Sequence, residues 1–134
     1  MCFSIPGKPK AKKRAKRDLS GRWYNPSKKD MIIVERIIKE QIPYSFEMIG
    51  KGCPVEINIT WYFEPTKSQK TKKFLEIIEN DDYPFLKKAD IDNLFKFYAD
   101  IMSKIIYYDD NQISHNTSNK FYSLNPRTEI EVKW

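Results

Sequence analysis

The chain has very few of the residues that build disulfide frameworks and zinc sites. Its 134 residues include 2 cysteines and 1 histidine. Cys2 and Cys53 are too few for a disulfide framework and lack zinc-finger spacing, so we expect two free thiols that serve as packing residues. The single histidine, His115, lies in a polar stretch and is expected at the surface, which argues against a zinc site.

Long apolar runs are absent as well. No segment approaches the roughly 20 apolar residues that cross a bilayer, and the first ten residues lack the apolar stretch of a signal peptide. We therefore expect a cytoplasmic protein with no membrane partner. Aromatic residues, in contrast, make up 14% of the chain, which excludes wholesale disorder and predicts one ordinary core in a single domain spanning 1–134.

Positive charge is concentrated in one segment. The chain carries a net charge of +6, but residues 8–29 hold ten Lys and Arg and a single acid, Asp18, so the rest of the chain is slightly acidic. Such a block suits a polyanion, and the absence of a helical apolar period favours nucleic acid over a membrane surface. Residues 8–25 are predicted to form a functional or mobile loop. Its candidate DNA-binding residues are Lys8, Lys10, Lys12, Lys13, Arg14, Lys16 and Arg17.

Apolar periodicity predicts a small mixed sheet of about four strands with two principal helices, an α+β class. The predicted strands are 1–6, 55–63, 112–123 and 127–133, the last two joined by a turn at 124–126. The predicted helices are 28–41, begun by a Ser27/Asp30 capping box, a short one that includes 74–78 and stops before Asp81, and one that starts at 90–92 and continues to Ile105. Phe97 interrupts the polar side of that last helix, and core packing is the expectation for it.

Two pairs of acids flank that last helix and call for a chemical explanation. Asp90 and Asp92 stand at its start, and Asp109 and Asp110 follow its end. Helix caps and turns account for such acids as well as catalysis does. If the acids meet, however, their mutual repulsion favours a cation, and carboxylate oxygens select Mg²⁺, with Mn²⁺ as an alternative.

The ordered motif D-I-D-N-L-F-K at 90–96, an acid at Asp100 and D-D-N-Q at 109–112 together resemble the signature of RusA-type Holliday junction resolvases. The opening I-P-G-K-P at 5–9 and the closing R-T-E-I-E-V at 127–132 are also similar to that family. The resemblance covers most of the chain, and 65–84 is its least typical part.

The resemblance implies a RusA-like fold and a Mg²⁺-dependent endodeoxyribonuclease without a small-molecule cofactor. A homodimer would resolve four-way junctions by paired nicks in recombination and repair. It implies that Asp90, Asp92 and Asp110 hold the metal and that Lys96 is catalytic. Asn93, Asp109 and Gln112 are candidates for supporting those residues, or are plain capping and turn residues. Two alternatives stay open: a related nuclease that cuts flaps or forks, and a non-catalytic basic DNA-binding protein.

Overall fold

The computed structural model describes residues 1–134, which form a sheet backed by helices. The strands of the sheet are β1 (Cys2–Pro6), β4 (Val55–Phe63), β5 (Ile113–Tyr122) and β6 (Arg127–Lys133). The two-residue strands β2 (Lys16–Arg17) and β3 (Trp23–Tyr24) form a separate hairpin, and the helices are α1 (Lys28–Gln41), α2 (Lys72–Ile77) and α3 (Ile91–Met102). The four-stranded sheet has the order β1-β6-β4-β5. This architecture confirms the predicted α+β class with two principal helices.

β4 is a central strand, and its sequence shows why the sheet is covered on one face. Every second residue from Val55 to Phe63 is buried, while the residues between them are half-exposed. α1 packs on β1, α3 packs on β5, and the two helices contact each other. Trp61 from β4 and Phe97 from α3 are completely buried, so the expectation for Phe97 is confirmed.

The last two strands form as predicted, but they are not neighbours. β5 pairs with β4 in parallel and β6 pairs with β4 in the antiparallel direction, so β4 lies between them. Neighbouring strands are about 4.8 Å apart, and the 124–126 connection therefore spans about 10 Å across the end of β4. The amide of Ser123 donates to the carbonyl of Phe63 at 2.9 Å, which fixes this crossing.

The predicted capping box at the start of α1 is wrong, although the boundaries of the helix are right. Ser27 has the helical conformation φ −88°, ψ −5°, and its side chain makes no cap hydrogen bond. Its hydroxyl oxygen instead accepts a hydrogen bond of 2.9 Å from the backbone amide of Lys13. Ser27 is only 1% exposed, so its side chain anchors the basic segment to the fold.

Three further differences concern local structure. The basic segment contains the β2–β3 hairpin where an unstructured loop was expected, because two-residue strands are too short to show alternation. Cys2 and Cys53 are free but exposed, so they are not packing residues. α3 ends at Met102, and Ile105 lies in the turn that follows it.

None of the helices is both long and apolar enough to span a bilayer.

Candidate active site

The first turn of α3 displays two of the predicted site residues. Asp90 occupies the N-cap position, but its side chain makes no cap hydrogen bond. Asp92 lies in the first turn, and its carboxylate contacts the Lys96 ammonium at 3.3 Å, one helical turn later. All three side chains are exposed. Capping therefore does not occupy the carboxylate of Asp90, which is available to a ligand.

The approach to α3 is held by the sheet. Ala89, directly before Asp90, has φ 123°, a value that costs a residue other than glycine about 1–3 kcal/mol. Its carbonyl accepts a hydrogen bond of 3.0 Å from the Lys120 ammonium, and Lys120 belongs to β5. The contact between Lys120 and Ala89 therefore helps to fix the backbone that positions Asp90 at the start of α3.

The turn before β5 carries the second acid pair, and its two members differ in role. The Asp109 carboxylate accepts a hydrogen bond of 2.8 Å from the backbone amide of Asn111. The Gln112 amide oxygen accepts from the backbone of Tyr108 at 2.8 Å, and its amide nitrogen donates to the carbonyl of Gly50 at 2.9 Å. Asp109 and Gln112 thus hold the turn, and the Asp110 carboxylate is left out of these bonds.

Asp110 lies close to another acid, Asp100, from the last turns of α3. Partial burial raises the pKa of Asp110, and the negative charges of Asp100 and Asp109 raise it further, while Lys12 lowers it. Burial also raises the pKa of Tyr107, and the charges of Asp110 and Asp100 act in the same direction. The Tyr107 hydroxyl donates to the carbonyl of Ala99 at 2.8 Å, so it forms a fixed wall beside these acids.

The N-terminal segment brings a cation to this acid pair. The Lys12 ammonium donates a hydrogen bond to the Asp100 carboxylate. Three hydrogen bonds fix the backbone here. The backbone amide of Lys10 donates to the Tyr98 hydroxyl at 3.0 Å, that of Lys12 to the Asn93 carbonyl at 2.9 Å, and that of Lys13 to the Ser27 hydroxyl. Residues 10–13 are therefore docked on α3 and are not a free tail.

The seven predicted DNA-binding residues accordingly have different surroundings. Lys12 is paired with Asp100, and the Lys10 ammonium lies 3.9 Å from the Asp30 carboxylate. The other five are exposed basic residues: Lys8, Lys13, Arg14, Lys16 and Arg17.

The structure gathers only part of the predicted site. Nowhere in the chain do three acidic, histidine or cysteine side chains come close enough to hold a metal ion together. Asp92 and Asp100 are eight residues apart on one helix, which places their backbones about 12 Å apart. Asp110 is paired with Asp100 rather than with the predicted Asp90 and Asp92. The sequence offered no signal that would separate Lys12 from its basic neighbours as the partner of this pair.

The raised pKa of Asp110 predicts a stability effect. Because the native state favours the protonated form of Asp110, ionisation of this carboxyl lowers the free energy of unfolding. The loss is absent below the ordinary pKa of 3.8, develops as pH rises through the higher native pKa, and is complete above it. In chelator at neutral pH, Asp110→Asn should raise the melting temperature by about 1–2 °C, the size expected of a surface substitution in a domain of this length.

The matched control for this prediction is Asp82→Asn, which changes an exposed carboxylate outside the two acid pairs that flank α3. It should leave the melting temperature unchanged. The gain from Asp110→Asn should also disappear near pH 3, where both forms of the protein carry a neutral side chain. A gain that persists at that pH would show that electrostatic repulsion is not its source.

Comparison with known proteins identifies the family. The family model described as endodeoxyribonuclease RusA matches residues 6–133. The chain belongs to the RusA endodeoxyribonuclease family. It is also similar to the uncharacterized protein YqaN of Bacillus subtilis (strain 168), with 33% identity over 81 residues. That match covers 60% of this chain and 57% of the relative, so the chain spans little more than half the length of that relative.

The donor chemistry of this RusA-family chain fits a hard divalent cation. Asp90, Asp92 and Asp110 offer carboxylate oxygens only, which is the ligand type that Mg²⁺ and Mn²⁺ prefer. Around Asp110 the negative charges of Asp100 and Asp109 are opposed by the single ammonium of Lys12. This local excess of negative charge is what a divalent cation would neutralise.

Proposed function

We propose that the chain is a Mg²⁺-dependent, structure-specific endodeoxyribonuclease that resolves Holliday junctions. The observation that carries the proposal is that Asp90 and Asp110 are left out of the cap and turn hydrogen bonds that acids at these positions commonly make. Asp109, the neighbour of Asp110, is used as a turn residue. Of the three acids that the family resemblance assigns to the metal, Asp90 and Asp110 thus have no local hydrogen bond, and Asp92 has only its exposed contact with Lys96.

The proposed site assigns Asp90, Asp92 and Asp110 to the cation. Because the three carboxylates do not meet in this structure, the cation would have to draw them together, with waters and substrate phosphate completing its coordination. The chemistry that Mg²⁺ supplies in such sites is polarisation of a phosphoryl oxygen and a lowered pKa of bound water. Lys96 emerges from the same helix face as Asp92, with its side chain 57% exposed. Its ammonium can therefore leave Asp92 and stabilise the charge that develops on the scissile phosphate.

The basic segment supplies the affinity for DNA in this proposal. Its exposed lysines and arginines neutralise phosphates and release counterions, which gives binding that depends on salt but not on sequence. The anchors at Lys10, Lys12 and Lys13 fix where this charge begins, directly beside the acids of the site. DNA held by the segment is thereby brought to the carboxylates.

A homodimer completes the proposal. Resolution of a four-way junction requires nicks in two strands that are related by symmetry, and a two-fold dimer presents two equivalent sites to them. Such paired nicks would act in recombination and repair. A single chain would provide one of the two cuts.

A second candidate is a nuclease of the same chemistry that prefers flaps or forks, because the acids and the basic segment suit any branched DNA. A non-catalytic DNA-binding protein is less well supported, because such a protein has no use for exposed acids beside its basic surface. These carboxylates would repel the phosphates that the basic segment attracts.

One experiment tests substrate, chemistry and metal together. The protein is incubated with a mobile four-way junction, a flap, a fork and a linear duplex of matched sequence, in Mg²⁺, in Mn²⁺ or in chelator. We expect paired nicks in the junction, only when the metal is present. If only flaps or forks are cleaved, they are the substrate of the enzyme and the four-way junction is not. Binding without any nick in any metal would support the non-catalytic alternative.

Lys12 and Lys13 provide a test of the docked segment. Lys12→Ala removes the cation that contacts Asp100 and whose charge lowers the pKa of Asp110, a proposed metal ligand. We expect kcat to fall about ten-fold, the scale seen when a group that supports a metal ligand is lost. Lys13→Ala removes the same charge from an exposed neighbour. It should leave kcat unchanged and flatten the dependence of log K on log salt by about one unit.

The contact between Lys12 and Asp100 allows a second test of whether Lys12 acts through Asp100. Because both substitutions break one contact, the double variant with Lys12→Ala and Asp100→Asn should lose no more activity than the worse single variant. If the losses of activity in the two single variants add fully in the double variant, the contact between Lys12 and Asp100 has no part in activity. In that case, or if the Lys12 and Lys13 variants have equal kinetics, Lys12 would be assigned to phosphate contact alone.

A further inference from the structure

Residues 14–26 form an arm that projects from the fold. The arm is closed at its base by the hydrogen bond of 2.9 Å from the Lys13 amide to the Ser27 hydroxyl. Within it, β2 and β3 pair Lys16 with Tyr24 and Arg17 with Trp23. Because Ser27 is buried, the arm leaves the domain from a fixed point.

The tip of the arm is held by its single acid. The Asp18 carboxylate accepts hydrogen bonds from the amide of Ser20 at 2.9 Å, the hydroxyl of Ser20 at 2.6 Å and the amide of Arg22 at 2.9 Å. Gly21 has φ 81°, which a tight turn requires and which glycine adopts without strain. The only negative charge of the arm is thus used to order the tip.

This ordered tip presents apolar side chains to solvent. Leu19 is fully exposed at the end of the turn, and Trp23 is 62% exposed. The Arg17 guanidinium lies over the ring of Trp23 at 4.8 Å from its centroid. One exposed leucine is ordinary in a soluble protein. A leucine beside an exposed tryptophan, on a rigid tip surrounded by positive charge, is a combination that fits the faces of nucleic-acid bases.

The arm also lies next to the candidate active site. Its base at Lys13 directly follows Lys12, whose ammonium contacts Asp100. Six residues separate the base from the tip, which gives a reach of at most about 20 Å. That distance equals about six base-pair steps of 3.4 Å along a duplex. DNA cut at the acids would therefore pass within reach of Leu19 and Trp23.

We infer that the arm recognises the branch point of DNA, with Leu19 as a wedge between unstacked bases and Trp23, under Arg17, as a stacking platform. Apolar wedges and aromatic stacking both act on base faces without reading sequence. A continuous duplex hides these faces in its stack, whereas the centre of a branched DNA exposes them. This inference rests on the proposed function, because it names the element that separates branched substrates from duplex.

The test measures binding in chelator, where no strand is cut. Dissociation constants for a four-way junction and a matched duplex are compared for the wild type, Leu19→Ala and Trp23→Ala. Both substitutions keep every charge of the arm, and both side chains are exposed, so the fold and the salt dependence should be retained. The control is Leu124→Ala, which truncates an exposed leucine in the β5–β6 connection.

We expect the preference for junction over duplex to fall about ten-fold in Trp23→Ala, the size of one lost base stack, and to fall several-fold in Leu19→Ala. Duplex affinity and the Leu124→Ala control should not change. Tryptophan emission gives a second readout. Trp61 is buried but Trp134 is as exposed as Trp23, so the Trp23→Phe variant is needed to separate the signal of Trp23 from that of Trp134. Junction should quench the emission more than duplex does, and Trp23→Phe should abolish that difference.

Three results would overturn the inference. If the arm variants keep the wild-type preference, branch recognition lies elsewhere, and the proposed nuclease function is unaffected. If the variants change the sedimentation of the free protein instead, the arm binds a second copy of the chain and not DNA bases. If the wild type itself does not prefer the junction, both this inference and the proposed junction specificity are wrong.

Discussion

Replacement of Asp90, Asp92 or Asp110 by Asn should reduce Mg²⁺-dependent nicking of a four-way junction on the order of 10³-fold or more, the scale of losing a cation that stabilises phosphoryl charge. Junction binding should stay the same or become tighter, because a negative charge that faces phosphate is removed. Gel-shift binding in chelator and single-turnover cleavage in Mg²⁺ measure the two effects separately.

Asp109→Asn is the matched control for these variants. The Asp109 carboxylate accepts a hydrogen bond from the Asn111 amide at 2.8 Å, and the amide oxygen of an asparagine can accept the same bond. The substitution therefore removes a charge directly beside Asp110 and preserves the turn. At saturating Mg²⁺, cleavage should remain near the wild-type rate. Near-wild-type cleavage by any one of the three test variants would exclude that residue from the metal site.

The elements that could be predicted from the sequence are those with long apolar periods. The nine residues of β4 alternate without interruption, and α1 has helical spacing over its whole length, so the bounds of both were predictable. The order of strands was not, because β5 and β6 each pair with β4 and no local signal excludes their pairing with each other. The hairpin of the arm depends on the bonds of Asp18 and on Arg17 with Trp23, which no period shows.

The candidate site likewise has a part that could be predicted from the sequence and a part that could not. The two acid pairs stand out in the sequence itself, their assignment to a metal comes from the resemblance, and their exposure agrees with a ligand-binding role. The contact between Lys12 and Asp100 joins residues 88 positions apart, and it depends on the docking of residues 10–13 across α3. The cap of Ser27 was mispredicted for the same reason, since its hydroxyl serves that segment. Long-range polar contacts of this kind leave no pattern in the sequence.

Lys96→Ala is expected to slow cleavage on the order of 10²-fold or more, because an ammonium placed at developing phosphate charge is worth several kcal/mol in a transition state. Binding of the junction in chelator should weaken only slightly, by the loss of one exposed charge. Lys96→Arg should restore the cleavage rate in part, since a forked guanidinium keeps the charge but does not fit the space of an ammonium. Single-turnover rates at saturating protein report the chemical step.

The chain offers a close control for this lysine in Lys39 on α1. Lys39 pairs with Glu35 at 2.6 Å, and Lys96 pairs with Asp92 at 3.3 Å, each with the acid four residues earlier on an exposed helix face. If Lys96 were only a helix-surface partner, each alanine variant would lose a few tenths of a kcal/mol of stability and cut DNA normally. We expect the two variants to match in melting temperature and to differ in cleavage rate. Equal cleavage by both would assign Lys96 to helix stability alone and leave the charge on the scissile phosphate to other groups.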